Sequence, residues 1–141
     1  MKNLIVILIL LITGSSKCVM DGLEEIEPDS TLTIVNNSAE DLIHIASFQD
    51  DTTLEKMKFI KDEVQYEALT IKANSLIEDE SNWIYSFTNN ETPDTLRVFL
   101  FAKNTIVSTE WDQIVSKYLI LKRCDLTLSD LDSLEWTIIY P

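Results

Sequence analysis

The chain has 141 residues, 45% of them hydrophobic and 25% charged, with only two glycines and three prolines. That is room for one domain with an apolar core, since a fold of this size hides about two-thirds of the surface its unfolded chain exposes, and it speaks against intrinsic disorder. Eleven Lys and Arg against 24 Asp and Glu leave a formal charge of -13, whose field repels phosphate backbones and argues against nucleic acid as a partner.

The first element is an export signal. Met1-Lys2-Asn3 is a short basic start, Leu4 to Ile12 is an unbroken apolar run, and Thr13-Gly14-Ser15-Ser16 supplies small residues for processing. This pattern predicts a signal peptide over residues 1–17. The nine apolar residues reach about half of the ~20 that a bilayer-crossing helix needs, and Lys17 closes the run. Two modes of release follow. In one, cleavage leaves Cys18 as the new first residue, acylated on sulfur and amine, so the domain meets the membrane only through lipid. A Cys just past an apolar run and followed by an acidic stretch fits this, with Lys17 departing from the small residue usual there. In the other, cleavage after Ser16 leaves Cys18 and Cys124 free to form a long-range disulfide in a soluble secreted chain.

Asp21, Glu24, Glu25, Glu27 and Asp29 then crowd together with Gly22 and Pro28. Such a stretch cannot bury enough apolar area to order itself, so residues 18–30 read as an acidic flexible tether, without the spacing of a calcium loop. The folded domain is expected over 31–141.

From Ser30 onward, β-branched and aromatic residues come in short runs separated by Asn, Asp, Ser and Glu. Thr31–Val35 places Leu32 and Ile34 on one face, with a turn at Asn36-Asn37-Ser38. Leu42–Phe48, Tyr66–Lys72 and Trp83–Phe87 read as further strands. In Leu96–Ala102 the residues Leu96, Val98 and Leu100 face one way and Phe99 and Phe101 the other, so that strand should be central and covered on both sides. Ser108 and Thr109 read as the cap of a helix near 109–118 with Trp111, Ile114, Val115 and Tyr118 on its apolar stripe. Tyr118–Lys122 reads as turning into a strand. Thr127 with Asp130 repeats the cap for a shorter helix near 128–134, with Leu128, Leu131 and Leu134 on its inner side. Glu135–Tyr140 closes the chain as a strand with Trp136, Ile138 and Tyr140 on one face. The fold class expected is mainly β with two short helices, in a single β-sandwich-like, immunoglobulin-like domain.

Chemistry is sparse. His44 is the only histidine and Cys124 the only thiol beyond Cys18, so a nucleophilic pair would need the two adjacent in space. A strand histidine at a sheet surface and a reduced buried Cys are the readings favoured instead. One His and one such Cys cannot close a zinc site, glycines only at 14 and 22 provide no phosphate loop, and no cofactor is expected. Carboxylate pairs are abundant in so acidic a chain, which is why none can be selected. Trp83 and Tyr85, two apart on the expected strand, would share one face and offer a flat surface to a sugar ring or a peptide side chain.

The carboxyl-terminal string Ile120-Leu121-Lys122-Arg123-Cys124-Asp125-Leu126-Thr127-Leu128-Ser129-Asp130-Leu131, running into Leu134-Glu135-Trp136-Thr137-Ile138-Ile139-Tyr140-Pro141, resembles a family of small uncharacterised lipoproteins and exported proteins of gut Bacteroidales. Asn36-Asn37-Ser38, Asp51-Thr52-Thr53-Leu54 and Asp94-Thr95-Leu96 resemble the same family's earlier landmarks. Members commonly carry an aromatic where Cys124 stands, so the resemblance implies no required thiol there and supplies no reaction. It implies a cellular setting in which acidic residues after a lipidated Cys, here Asp21, Glu24 and Glu25, direct lipoproteins to the outer face. The same setting implies O-glycosylation at Asp-Ser or Asp-Thr triplets, which places candidates at Ser30, Thr52, Thr95 and Ser133; a plain turn is the other reading of each. The function expected is that of an exported, lipid-anchored envelope or surface protein acting as a non-enzymatic binding module for a protein or glycan partner. The competing class is a small secreted enzyme using carboxylate catalysis.

Overall fold

The computed structural model describes residues 29–48, 63–89 and 94–141. The expected signal peptide, Cys18 and most of the tether lie outside them. In chain order the elements are β1 (Ser30–Asn36), β2 (Leu42–Ser47), α1 (Glu63–Leu69), β3 (Thr70–Ile71), β4 (Ser75–Ser81), α2 (Trp83–Thr88), β5 (Leu96–Ala102), α3 (Lys103–Ser108), α4 (Trp111–Ser116), β6 (Lys122–Leu126), α5 (Leu128–Ser133) and β7 (Thr137–Tyr140). The smaller sheet has the order β4-β1-β7, with β1 antiparallel to β4 and parallel to β7. The larger has the order β3-β2-β5-β6 and is antiparallel throughout.

β5 organises the layers. Its alternation sends Leu96, Val98 and Leu100 into a core shared with Leu32 and Ile34 of β1, Ile138 of β7 and Leu131 of α5. Phe99 and Phe101 point the other way and pack with Ile43 and Ile45 of β2, Ile106 of α3 and Ile114 of α4. The protein is therefore three layers deep: small sheet, large sheet, helices. Register holds the faces in phase, with Val98 opposite both Ala46 and Cys124, because a slip of one residue would exchange the two cores. On β6, Arg123 lies over the Phe99 ring, 5.4 Å from its centroid, and forks to Asp125 through two bonds of 2.7 Å. Lys122 Nζ donates to Ile139 O at 2.8 Å, tying the edge of the larger sheet to that of the smaller.

The helices are short and depend on their ends. α5 starts on a capping box: Thr127 Oγ1 accepts from the Asp130 N–H, and the Asp130 carboxylate accepts from the Thr127 N–H at 2.8 Å. It stops in a Schellman motif, with Trp136 N–H donating to Leu131 O and Glu135 N–H to Asp132 O. Glu135 takes the left-handed conformation there, at φ 50°, where glycine is usual. α4 ends the same way at Tyr118, also at φ 50°.

The strands expected at Thr31–Val35, Leu42–Phe48 and Leu96–Ala102 are found, and β5 is central and covered on both faces. Other expectations are corrected. Trp83–Phe87 is not a strand but the body of α2. Asp29, a residue assigned to the tether, accepts from the backbone N–H of Ile84 at 3.0 Å and of Tyr85 at 2.7 Å, satisfying the first turn of that helix. Ser30 likewise belongs to β1 and not to a tether. Tyr66–Lys72 divides into the end of α1 and the two residues of β3. Five helices, not two, stand among the described residues, and α3 and β4 were not anticipated. Ser108 and Thr109 end α3 instead of capping α4, whose N-cap is Glu110. Tyr118 and Leu134, expected on apolar stripes, are 61% and 46% exposed because each lies at or beyond the last turn of its helix.

Leu131 and Leu134 therefore separate the observed packing from the expected one. Leu131→Ala is expected to cost about 2–5 kcal/mol in chemical denaturation, as a fully buried Leu does, whereas Leu134→Ala stays within about 0.5 kcal/mol.

Candidate functional site

Helices cover the outer face of the larger sheet, whereas the outer face of the smaller sheet presents an apolar row. Leu32 and Ile34 are buried, so the alternate residues Thr31, Thr33 and Val35 face outward. Val35 pairs with Leu76 on one side and Ile139 on the other, so the three lie side by side across the sheet. Leu76 is 53% and Ile139 54% exposed. The next rows are Glu78–Thr33–Thr137 and Glu80–Thr31, so the remainder of the face is threonine and carboxylate.

A second feature lies at the margin between the sheets. His44 of β2 is 3% exposed and faces the inter-sheet layer, which corrects its expected place at a sheet surface. Its Nδ1 lies 3.0 Å from Leu69 O; a carbonyl only accepts, so Nδ1 carries the hydrogen and the neutral ring keeps its lone pair on Nε2. Nε2 is 3.9 Å from Asp79 Oδ2, beyond hydrogen-bond range. Asp79 points inward from β4, and the cleft it shares with His44, about 230 Å³, is also lined by Ala68, Leu69, Ile77, Glu78 and Glu80. Burial pushes the imidazole below its ordinary value, outweighing the Leu69 bond and the Asp79 charge, which favour the cation.

The aromatic pair expected to form one face is separated. On a helix, residues two apart lie on nearly opposite sides. Trp83 turns inward, its ring 5.9 Å from that of Phe48 and its Nε1 donating to Asp79 O at 3.1 Å. Tyr85 is 66% exposed and stands away from it. Phe48 also meets Phe87 edge-on at 4.8 Å, so the aromatic cluster seals the base of the core.

His44 and Cys124 do not meet, because β5 lies between their strands and adjacent strands are about 4.8 Å apart. Burial raises the Cys124 thiol above its ordinary value, which makes it a poor nucleophile. It lines a groove of about 250 Å³ with Lys122, Leu134 and Ile138. A third hollow, about 290 Å³, lies beside Asp41 and Lys103. Next to it, Lys103 bonds Glu67 at 2.7 Å, joining α3 to α1, and Lys72 bonds Asp41 at 3.3 Å, joining the end of β3 to the start of β2. Among the described residues no three His, Cys, Asp or Glu side chains converge to hold a metal ion, and no helix is long and apolar enough to cross a membrane.

Of the glycan candidates, Ser30 sits in β1 with its hydroxyl on Asp29, and Thr95 is half-buried before β5. Ser133 is exposed at the end of α5, donating to Ser129 O. Thr52 and Cys18 lie outside the described residues. Comparison with protein-family models, with curated proteins and with solved structures gives no match.

The outer row is not legible in the sequence because the acidic residues of β4 suit a loop as well as an edge strand. The His44–Asp79 approach carried no sequence signal, since it depends on strand order. It has a pH consequence. The unfolded chain takes up a proton near pH 6.5 that the folded chain refuses until lower pH, so this contribution to stability is complete above about 6.5 and declines as pH falls toward the folded value. Denaturation between about pH 7.5 and 5.5 should show wild-type stability decreasing with acidity and His44→Gln nearly flat; parallel curves would contradict the assignment.

Proposed function

We propose that the chain is an exported envelope or cell-surface protein, lipid-anchored at Cys18, whose domain works as a non-enzymatic binding module for a protein or glycan partner. The observation that carries the binding reading is the Leu76–Val35–Ile139 row, an apolar strip on a face where the protein could have placed polar groups. The three clefts described, at 230–290 Å³, are open and smaller than most small-molecule sites, which favours contact through a face. The leader pattern and the resemblance to exported Bacteroidales lipoproteins support anchoring on the envelope, at the periplasmic or the external face. Release as a soluble secreted protein is the alternative that the same leader allows. We read the sandwich as immunoglobulin-like on its seven strands divided three and four, with the parallel β1–β7 pair and the helical layer as additions to that plan.

Two measurements test this. In the cells that make it, wild-type protein is expected in the membrane fraction with an incorporated fatty-acid label, and Cys18→Ser in the soluble fraction without one. Full-length material with Met1 attached in the cytosol would contradict export. A folded Leu76→Asp/Ile139→Asp double variant is expected to lose the partner that wild-type protein retains from envelope extracts; equal retention would remove the outer face from consideration.

A further inference from the structure

We propose that the cleft between β4 and α1 receives a lysine or arginine side chain carried on an extended segment of a partner protein that lies along the free edge of β4. This concerns a surface other than the outer face of the small sheet, and either can hold without the other.

Among the described residues the cleft presents two acceptors and no donor between them. The bond to Leu69 O fixes the imidazole so that its Nε2 lone pair faces Asp79 Oδ2 across 3.9 Å, and no described residue donates to that nitrogen. A ring nitrogen that a buried histidine turns toward the cleft and a carboxylate facing it are both satisfied by a group with several N–H donors and positive charge. An ammonium offers three such donors and a guanidinium five, whereas a hydroxyl offers one. Ala68, Leu69 and Ile77 supply an apolar wall for the methylene stem, and Glu78 and Glu80 add negative charge at the mouth. Among the described residues, Lys72 is engaged with Asp41 and Lys103 with Glu67.

The position in the sheet favours a peptide as the bearer. β4 pairs with β1 on one side only, so its other edge among the described residues presents backbone groups to an added strand. Alternate side chains of such a strand would face the side on which Asp79 lies. The formal charge of -13 favours encounter with a basic segment.

The test is fluorescence anisotropy of the full chain with a labelled eight-residue peptide alternating lysine with threonine and valine. Saturable binding is expected, weakened about tenfold or more in Asp79→Asn and largely restored in Asp79→Glu, as loss and return of a charge-assisted bond require. The Trp83 bond uses the backbone of Asp79, and the amide oxygen in Asp79→Asn can still accept from Ser81 Oγ as Asp79 Oδ1 does at 3.4 Å, so this variant should shift the melting curve little. A second readout needs no variant: with a single histidine, the ¹⁵N resonance of Nε2 should move on peptide addition while Nδ1 stays protonated. The proposal is overturned by any of four results: no binding to wild-type protein, equal binding of the lysine-acetylated peptide, unchanged affinity in Asp79→Asn, or a still Nε2 resonance. Competition by butylammonium at the peptide's own concentration would overturn the strand-borne source.

Discussion

Leu96–Ala102 has no side that tolerates water, and the rest of the molecule is arranged around that constraint. Leu96, Val98 and Leu100 demand a cover on one face, Phe99 and Phe101 on the other. A two-layer sandwich could satisfy only one. The second sheet takes the aliphatic side, and α1, α3 and α4 take the aromatic side. Burial of Phe-sized side chains at about 25 cal/mol per Å² makes this the largest favourable contribution the chain can draw on, well above the surface ion pairs around Lys72 and Lys103. Those three helices are thereby committed to the larger sheet, and among the described residues the outer face of the small sheet keeps Leu76 and Ile139 exposed. Its apolar row and the cleft at its margin are both consequences of that allocation.

Charge has a second role. β4 carries Glu78, Asp79 and Glu80 in succession along the edge of the smaller sheet. Carboxylates on such an edge, one of them pointing inward, discourage edge-to-edge growth between copies of the same acidic chain. The same carboxylates make the edge selective, since what they repel in a second copy they attract in a basic segment. Asp79 approaching His44 thus fits both protection of the edge and recognition at it.

How far the sequence reveals this fold differs from element to element. β5 is legible because both of its faces are apolar, and α5 because Thr127 and Asp130 form a local capping box. α2 is not, because Trp83–Phe87 has the composition of a strand and becomes a helix where Asp29, more than fifty residues earlier, binds its first amides. β4 is hidden by its acids, which suit an edge and resemble a loop. Among the candidate site residues, Trp83 and Tyr85 were legible as aromatics but not as a pair, since their relation depends on whether the segment is strand or helix. His44 was visible as the only histidine, yet its partners Leu69 and Asp79 come from two other elements, and nothing local announces them. In the carboxyl-terminal string Lys122 ties two sheet edges, Arg123 stacks on Phe99, Thr127 caps, Leu131 anchors and Trp136 donates to Asp132.

Amide hydrogen exchange on β5 tests this most directly. Val98, Phe99, Leu100 and Phe101 are expected to exchange only through global unfolding, as the slowest amides of the domain, while those of the edge strands β4 and β7 open earlier. Exchange in β5 as fast as in those edges would show that it is not the doubly covered centre of the fold.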